Sequence, residues 1–131
     1  GSLDDVWHER LDHTLTIESA VVESLGRGDT CVTAWREGLA VAEELGVTDH
    51  LMGQKPVQSR FLGHSVGLEL DETPVIAEGF DRPLPIGGVM AIEPKLIYDE
   101  GAIGIEDTWL RTSEGLEPLS RRDDWAPLVE W

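Results

Sequence analysis

The chain has 131 residues, of which 26 are acidic and 10 basic, and its formal net charge at pH 7 is −16. This charge argues against nucleic acid or an anionic membrane surface as a partner, because either one requires a basic footprint. The single cysteine, Cys31, excludes an intrachain disulfide and favours a reducing, cytoplasmic compartment, and no run of about 18 apolar residues is available to span a membrane.

Two amphipathic helices are predicted at the start of the chain. Residues 3–25 carry apolar side chains at helical spacing, and a glycine follows as a stop signal. Glu18 interrupts this apolar stripe, which predicts a helix that is only half covered. The second helix is predicted from Thr33, as its N-cap, to Leu45, with Gly46 just beyond its end.

Strands are predicted after the helices. The alternation of apolar and polar residues from His64 to Leu70 predicts a half-buried strand, and residues 89–92 predict a buried one. Residues 72–88 are rich in proline and glycine and are expected to be irregular. Residues 95–98 and 103–111 predict the two arms of a hairpin.

The order of the elements predicts an α+β fold, with two N-terminal helices packed on one face of an antiparallel sheet. Residues 47–62 show no clear period and are expected to form a loop. The tail over residues 121–131 is charged and aromatic, and is expected either to dock by its tryptophans or to stay mobile.

Two glutamates are predicted to face each other across the hairpin. A turn centred between Asp99 and Glu100 would place Glu93 directly opposite Glu106, with Cβ atoms roughly 4.5–5.5 Å apart. Like charges repel in this position, so either a cation lies between them or one carboxyl keeps its proton. The alternative is a slipped register with both glutamates in solvent, and Pro94 favours a bulge that would produce it.

His64 follows Gly63 at the start of the alternating segment. A histidine on a strand that precedes two facing carboxylates is a typical donor set for a metal-assisted hydrolase. A single histidine is more often a hydrogen-bonded structural residue than a ligand, so His64 by itself leaves both interpretations open.

Three segments carry a family resemblance. Residues 63–69, which begin Gly-His-Ser-Val-Gly, resemble the glycine-histidine-x-x-glycine motif of the pita-bread metallopeptidases. That family includes prolidase, aminopeptidase P, methionine aminopeptidase and creatinase. Residues 87–94 look like its glycine-methionine segment ending in glutamate-proline, and residues 105–115 are similar to its last strand and turn. Residues 3–46 resemble the helix pair before the histidine motif, so the resemblance covers nearly the whole chain.

The resemblance implies a partial pita-bread fold, of the creatinase and aminopeptidase kind. Residues 3–131 would form the C-terminal part of the catalytic domain, and the first two residues are interpreted as a cloning remnant. Glu106 followed by Asp107 looks more like prolidase and aminopeptidase P, which implies hydrolysis of Xaa-Pro bonds in a peptide or dipeptide. A creatinase-like amidinohydrolase is a further possibility that fits the glutamate pair less well.

The resemblance also implies a set of metal ligands. The family binds two divalent metals through two aspartates, one histidine and two glutamates, and His64, Glu93 and Glu106 match the last three. Glu106 is the ligand expected to bridge both metals, and Glu93 is expected to help move the proton of the attacking water. An oxygen-rich set with one imidazole suits manganese, cobalt or zinc.

The two aspartate ligands have no counterpart here. Asp4, Asp5 and Asp12 lie in the first predicted helix, whereas the family's aspartates lie upstream of that helix. We therefore expect a fragment of a longer parent, with an incomplete metal site and no activity alone. A sheet without its neighbouring strands exposes edge backbone, which predicts a homodimer or larger assembly. Domain swapping is one route to such an assembly.

Asp71 lies seven residues after His64, where the family usually has a second histidine. A histidine there can donate a hydrogen bond to the substrate or to a developing oxyanion, and an ionised aspartate cannot. Asp71 is predicted to recruit a substrate amine, to mark altered chemistry, or to be an ordinary loop residue before Pro74. It favours the alternative that the module is catalytically decayed and binds proteins or peptides.

Overall fold

The computed structural model describes residues 3–121 and residue 126. Two helices come first, α1 over Asp5–Arg27 and α2 over Cys31–Glu44, and a 3-10 turn follows over Thr48–His50. The strands are β1 (Gly53–Gln54), β2 (Val57–Gln58), β3 (Phe61–Ser65), β4 (Glu72–Ala77), β5 (Val89–Ile92), β6 (Lys95–Tyr98), β7 (Gly101–Gly104), β8 (Asp107–Arg111) and β9 (Leu116–Pro118).

The strands form one main sheet and two small hairpins. The main sheet is antiparallel throughout, with the order β4-β3-β5-β8-β9, while β1 pairs with β2 and β6 pairs with β7. The two helices pack on each other and on the strands, which confirms the predicted α+β fold. The core consists of apolar side chains from both layers, including Ile17, Val21, Leu25, Trp35, Leu62, Ile76, Met90 and Ile92.

The helix boundaries differ from the prediction at the end of α1 and at the start of α2. Helix α1 continues through the predicted stop to Arg27, and its C-cap is Gly28, whose φ of 90° is left-handed. The N-cap of α2 is Thr30, because its side chain accepts a hydrogen bond of 3.2 Å from the backbone N–H of Thr33. The prediction of Thr33 as the cap is therefore wrong. Gly46, with φ 72°, follows α2 as expected.

The predicted strand from His64 to Leu70 is wrong beyond Ser65. Strand β3 ends at Ser65, and Leu68 and Leu70 beyond it are exposed. The chain turns back through local bonds, such as the 2.9 Å bond from the Glu69 N–H to Glu72 Oε1. The alternation of apolar and polar residues after Ser65 therefore lies in a loop and not in a strand.

Of the remaining predictions about secondary structure, some are confirmed and others are wrong. The buried strand over residues 89–92 and the hairpin turn between residues 98 and 101 are confirmed. Residues 72–88 are not wholly irregular, because β4 begins at Glu72, and residues 47–62 contain β1, β2 and the start of β3. Strand β9 was not predicted. Most of the tail, including Trp125 and Trp131, lies outside the described residues.

The strand register fixes where the two glutamates lie. In β5–β8, Ile92 pairs with Asp107, and in β6–β7, Lys95 pairs with Gly104. Both ladders keep the register of a turn centred between residues 99 and 100, and Glu93 and Glu106 lie in the break between them.

Within the described part of the chain, no helix has the length and apolar character needed to cross a membrane.

Candidate metal centre

Three side chains from neighbouring strands meet at this break. His64 is on β3, and Glu93 and Glu106 lie next to the paired strands β5 and β8. One donor atom from each of the three lies within 4.8 Å of the other two. Imidazole and carboxylate donors at this separation could share one divalent cation.

Glycine at position 63 allows the two central strands to approach. A Cβ on Gly63 would collide with the carbonyl oxygen of Ala91 on β5. His64, the next residue, pairs with Ala91, and the backbone N–H of Glu93 donates to the Leu62 carbonyl at 2.9 Å. The glycine therefore brings the imidazole and the first carboxylate to the same place.

The imidazole of His64 faces two carboxylates. Its Nδ1 lies 3.1 Å from the carbonyl oxygen of Ser65, so a neutral ring that donates there presents an unprotonated Nε2. That nitrogen faces Asp71 Oδ1 at 3.0 Å and Glu93 Oε1 at 3.5 Å. In the tautomer with its proton on Nδ1, Nε2 is free to bind a cation together with the two carboxylates, so the chemistry of this donor set fits a divalent metal.

The two glutamates differ in exposure. The side chain of Glu93 is 9% exposed and that of Glu106 is 51% exposed. The Lys95 ammonium contacts Glu93 Oε2 and lies 3.9 Å from Glu106 Oε2. The sequence reasoning missed this lysine, although its spacing of two residues from Glu93 is typical of side chains on one face of a strand.

Asp71 also reaches this site. It comes from the exposed turn between β3 and β4, and its own side chain is mostly exposed. Within the described part of the chain, its side chain pairs with His64. The structure thus brings His64, Asp71, Glu93 and Glu106 together, and their binding of metal stays a prediction.

A second polar group lies behind Glu106 and was not predicted as a site. Asp107 is buried and accepts hydrogen bonds from Ser120 Oγ at 2.6 Å and Arg121 Nε at 2.8 Å. Arg121 also contacts Glu18, to which Trp109 Nε1 donates at 3.3 Å. Burial raises the pKa of Glu18, and the nearby Arg121 charge opposes this increase. The group fixes the start of β8, next to Glu106.

The comparisons with known proteins agree with this architecture. Residues 4–113 match metallopeptidase family M24, and the chain belongs to that family. The match confirms the resemblance to the pita-bread metallopeptidases, a metal-dependent family, that the three sequence segments indicated.

Relatives in this family are named as dipeptidases. The chain is 29% identical over 124 residues to the Xaa-Pro dipeptidase of Pyrococcus furiosus, covering 94% of this chain and 34% of the relative. It is 34% identical over 94 residues to the Xaa-Pro dipeptidase of Lactobacillus delbrueckii subsp. lactis, covering 68% of this chain and 25% of the relative. The chain therefore spans between a quarter and about a third of these curated relatives.

A solved structure shows the same fold. The prolidase from Pyrococcus furiosus superposes with a TM-score of 0.80 at 29% identity, over 94% of this chain and 35% of that chain. The partial pita-bread fold expected from the sequence is confirmed.

Proposed function

We propose that this chain supplies part of the active site of a metal-dependent peptidase that hydrolyses Xaa-Pro bonds in a peptide or dipeptide. The observation that carries the proposal is the convergence of the donor atoms of His64, Glu93 and Glu106 within 4.8 Å. The relatives named Xaa-Pro dipeptidases support the bond specificity.

Each residue has a stated task in this proposal. His64, Glu93 and Glu106 would hold a divalent cation, with manganese, cobalt and zinc as candidates, and Glu106 would be shared by a pair of cations. When bound, the metal pair would supply an activated water and would polarise the scissile carbonyl. Glu93 is the buried carboxylate of the group and would accept the proton of that water.

The proposal assigns activity to a longer parent protein and none to the 131-residue chain alone. The chain spans about a third of the Pyrococcus relative, and three ligands do not complete a two-metal site. The remaining aspartate ligands would come from residues that precede Leu3 in the parent.

The test is hydrolysis of an Xaa-Pro dipeptide by the longer parent with added Mn²⁺. We expect activity in the parent, none in the 131-residue chain, and a loss of at least about a thousandfold in kcat/KM for Glu106→Gln. Glu114→Gln, in the exposed turn before β9, is the matched control and should keep full activity. A metal-loaded parent without peptidase activity would contradict the proposal.

Asp71 supports a second candidate function, a decayed module that binds proteins or peptides. Its carboxylate contacts His64 Nε2 directly, at the nitrogen that would face a metal. If this is correct, the parent binds a proline-containing peptide without cleaving it, and Asp71→His does not restore cleavage. Cleavage by the unmodified parent would exclude it.

Assembly and location are also proposed. Strands β4 and β9 form the two edges of the main sheet, so we propose a homodimer, with domain swapping as one route to it. A cytoplasmic location is supported by the one cysteine, Cys31, which is buried and free. Nucleic acid and membrane surfaces are not proposed as partners, because the net charge is −16.

A further inference from the structure

Lys95 lies between the two carboxylates of the candidate metal centre. It is the first residue of β6, its ammonium contacts Glu93 Oε2, and it lies 3.9 Å from Glu106 Oε2. The Lys95 side chain is 41% exposed, whereas Glu93 is buried. One positive charge therefore already contacts the group that would hold a metal cation.

The strand opposite makes room for this lysine. Gly104 pairs with Lys95 across the hairpin, and a Cβ at position 104 would lie 2.5 Å from Lys95 Cγ. A larger residue there would force the lysine side chain to move. Glycine at position 104 therefore leaves the space that the stem of Lys95 occupies, and charge places its ammonium at the carboxylates.

The chain contains one other lysine, which provides a contrast. Lys55 contacts Asp49, but both side chains are more than 60% exposed. An exposed pair of this kind contributes little, because water screens both charges. Lys95 instead pairs with a carboxylate that is shielded from water, where the contact is stronger.

We propose that Lys95 is an internal counter-cation of the Glu93–Glu106 pair, which a divalent cation must displace in order to bind. The proposal rests on the metal site of the proposed function and adds a regulatory element to it. The lysine neutralises part of the repulsion between the carboxylates before metal arrives, and it lowers the apparent affinity for metal by competing for the same oxygens.

The first test is titration of the 131-residue chain with Mn²⁺ by calorimetry. We expect Lys95→Met to bind Mn²⁺ about tenfold more tightly than the unmodified chain, since a charge-assisted contact no longer competes. Lys55→Met is the matched control and should bind as the unmodified chain does. Equal affinity in Lys95→Met and the unmodified chain would overturn the proposal, as would a lack of Mn²⁺ binding in both.

The second test does not depend on activity, and its metal-free part does not depend on metal affinity. Acetylation of Lys95 and Lys55 can be followed separately by mass spectrometry, because they are the chain's two lysines. Without metal, Lys95 should react several-fold more slowly than Lys55, and Glu93→Gln should remove the difference. Added Mn²⁺ should accelerate acetylation of Lys95 alone. Equal rates for both lysines without metal would overturn the proposal.

The two proposals can fail separately. Tighter Mn²⁺ binding by Lys95→Met, with a parent that cleaves no Xaa-Pro bond, would support the role of Lys95 and reject the peptidase. An active parent whose metal affinity is unaffected by Lys95→Met would reject the role of Lys95 and keep the peptidase.

Discussion

Glu18 is an acidic residue on the buried face of α1. Its interruption of the apolar stripe of α1 predicted a half-covered helix, yet the side chain is buried. Its partners, Trp109 and Arg121, are far away in the sequence. A helical period locates an acid on a buried face, but it contains no information about a guanidinium more than a hundred residues later.

Glu18 should give the chain a specific pH dependence. Burial raises its folded-state pKa above the ordinary value of 4.5, so the folded chain keeps the proton to a higher pH than the unfolded chain. The unfolded chain binds fewer protons in this window, and the free energy of unfolding contributed by Glu18 therefore falls as the pH rises. Glu18→Gln removes this contribution. As the pH rises above about 4.5, the unfolding free energy of the variant should therefore increase relative to that of the unmodified chain.

Urea unfolding at a series of pH values measures this difference. Glu23→Gln, at an exposed position of the same helix, is the matched control and should give a pH curve parallel to that of the unmodified chain. Parallel curves for Glu18→Gln and the unmodified chain would show that burial does not hold the proton.

At the scale of the element, two helical glycines differ in their surroundings. A Cβ on Gly38 of α2 would lie 2.5 Å from Leu62 Cδ1 and 3.0 Å from Val21 Cγ2, so the glycine permits close packing of α2 on α1 and β3. A Cβ on Gly26 of α1 would meet only ordinary contacts, the nearest at 3.6 Å.

The two glycines should therefore respond in opposite directions to alanine. Gly38→Ala should destabilise the fold by about 1–3 kcal/mol, because the core must shift to admit a methyl group. Gly26→Ala should stabilise it by about 0.5–1 kcal/mol, because alanine favours the helix. Thermal or urea unfolding checks both values, and a stabilising Gly38→Ala would contradict the packing described here.

The sequence predicted elements best where local signals agree. The turn between Asp99 and Glu100 sets the register of β6–β7, and β5–β8 keeps the same register, although Glu93 and Glu106 themselves lie in the break and are paired in neither ladder. The alternation after His64 failed, because apolar residues in an exposed loop can imitate a strand. The contact of Asp71 with His64 depends on that loop and could not be predicted from spacing.

Among the residues of the candidate site, the sequence predicted those that belong to the family motifs. His64, Glu93 and Glu106 carried the resemblance and lie together in space. Lys95 carried no motif, and its role depends on the Gly104 position across the hairpin. The register that places Glu93 opposite Glu106 also pairs Lys95 with Gly104, but spacing alone does not show which way the long lysine side chain turns.

At the scale of the whole molecule, charge and exposed edges act against each other. A net charge of −16 opposes association of two copies, whereas the edge strands β4 and β9 favour it. We therefore expect a dimer or larger species whose population rises with salt, since salt screens the repulsion.

Sedimentation velocity at low and high NaCl concentration tests this expectation. The dimer should be more abundant at about 0.3 M NaCl than at about 0.02 M, because the screening length becomes shorter. A clean monomer at high protein concentration in both buffers would exclude the predicted assembly.

The shared register of the two ladders has a consequence for changes in chain length. Residues inserted between Asp99 and Glu100 would extend the hairpin tip and disturb contacts made by the tip, such as the 2.7 Å bond from Arg10 to Glu100. A single residue inserted after Glu93 would instead turn every following side chain to the opposite face of its strand. Related chains can therefore differ in length at the hairpin tip. The break that contains Glu93 and Glu106 must keep its length.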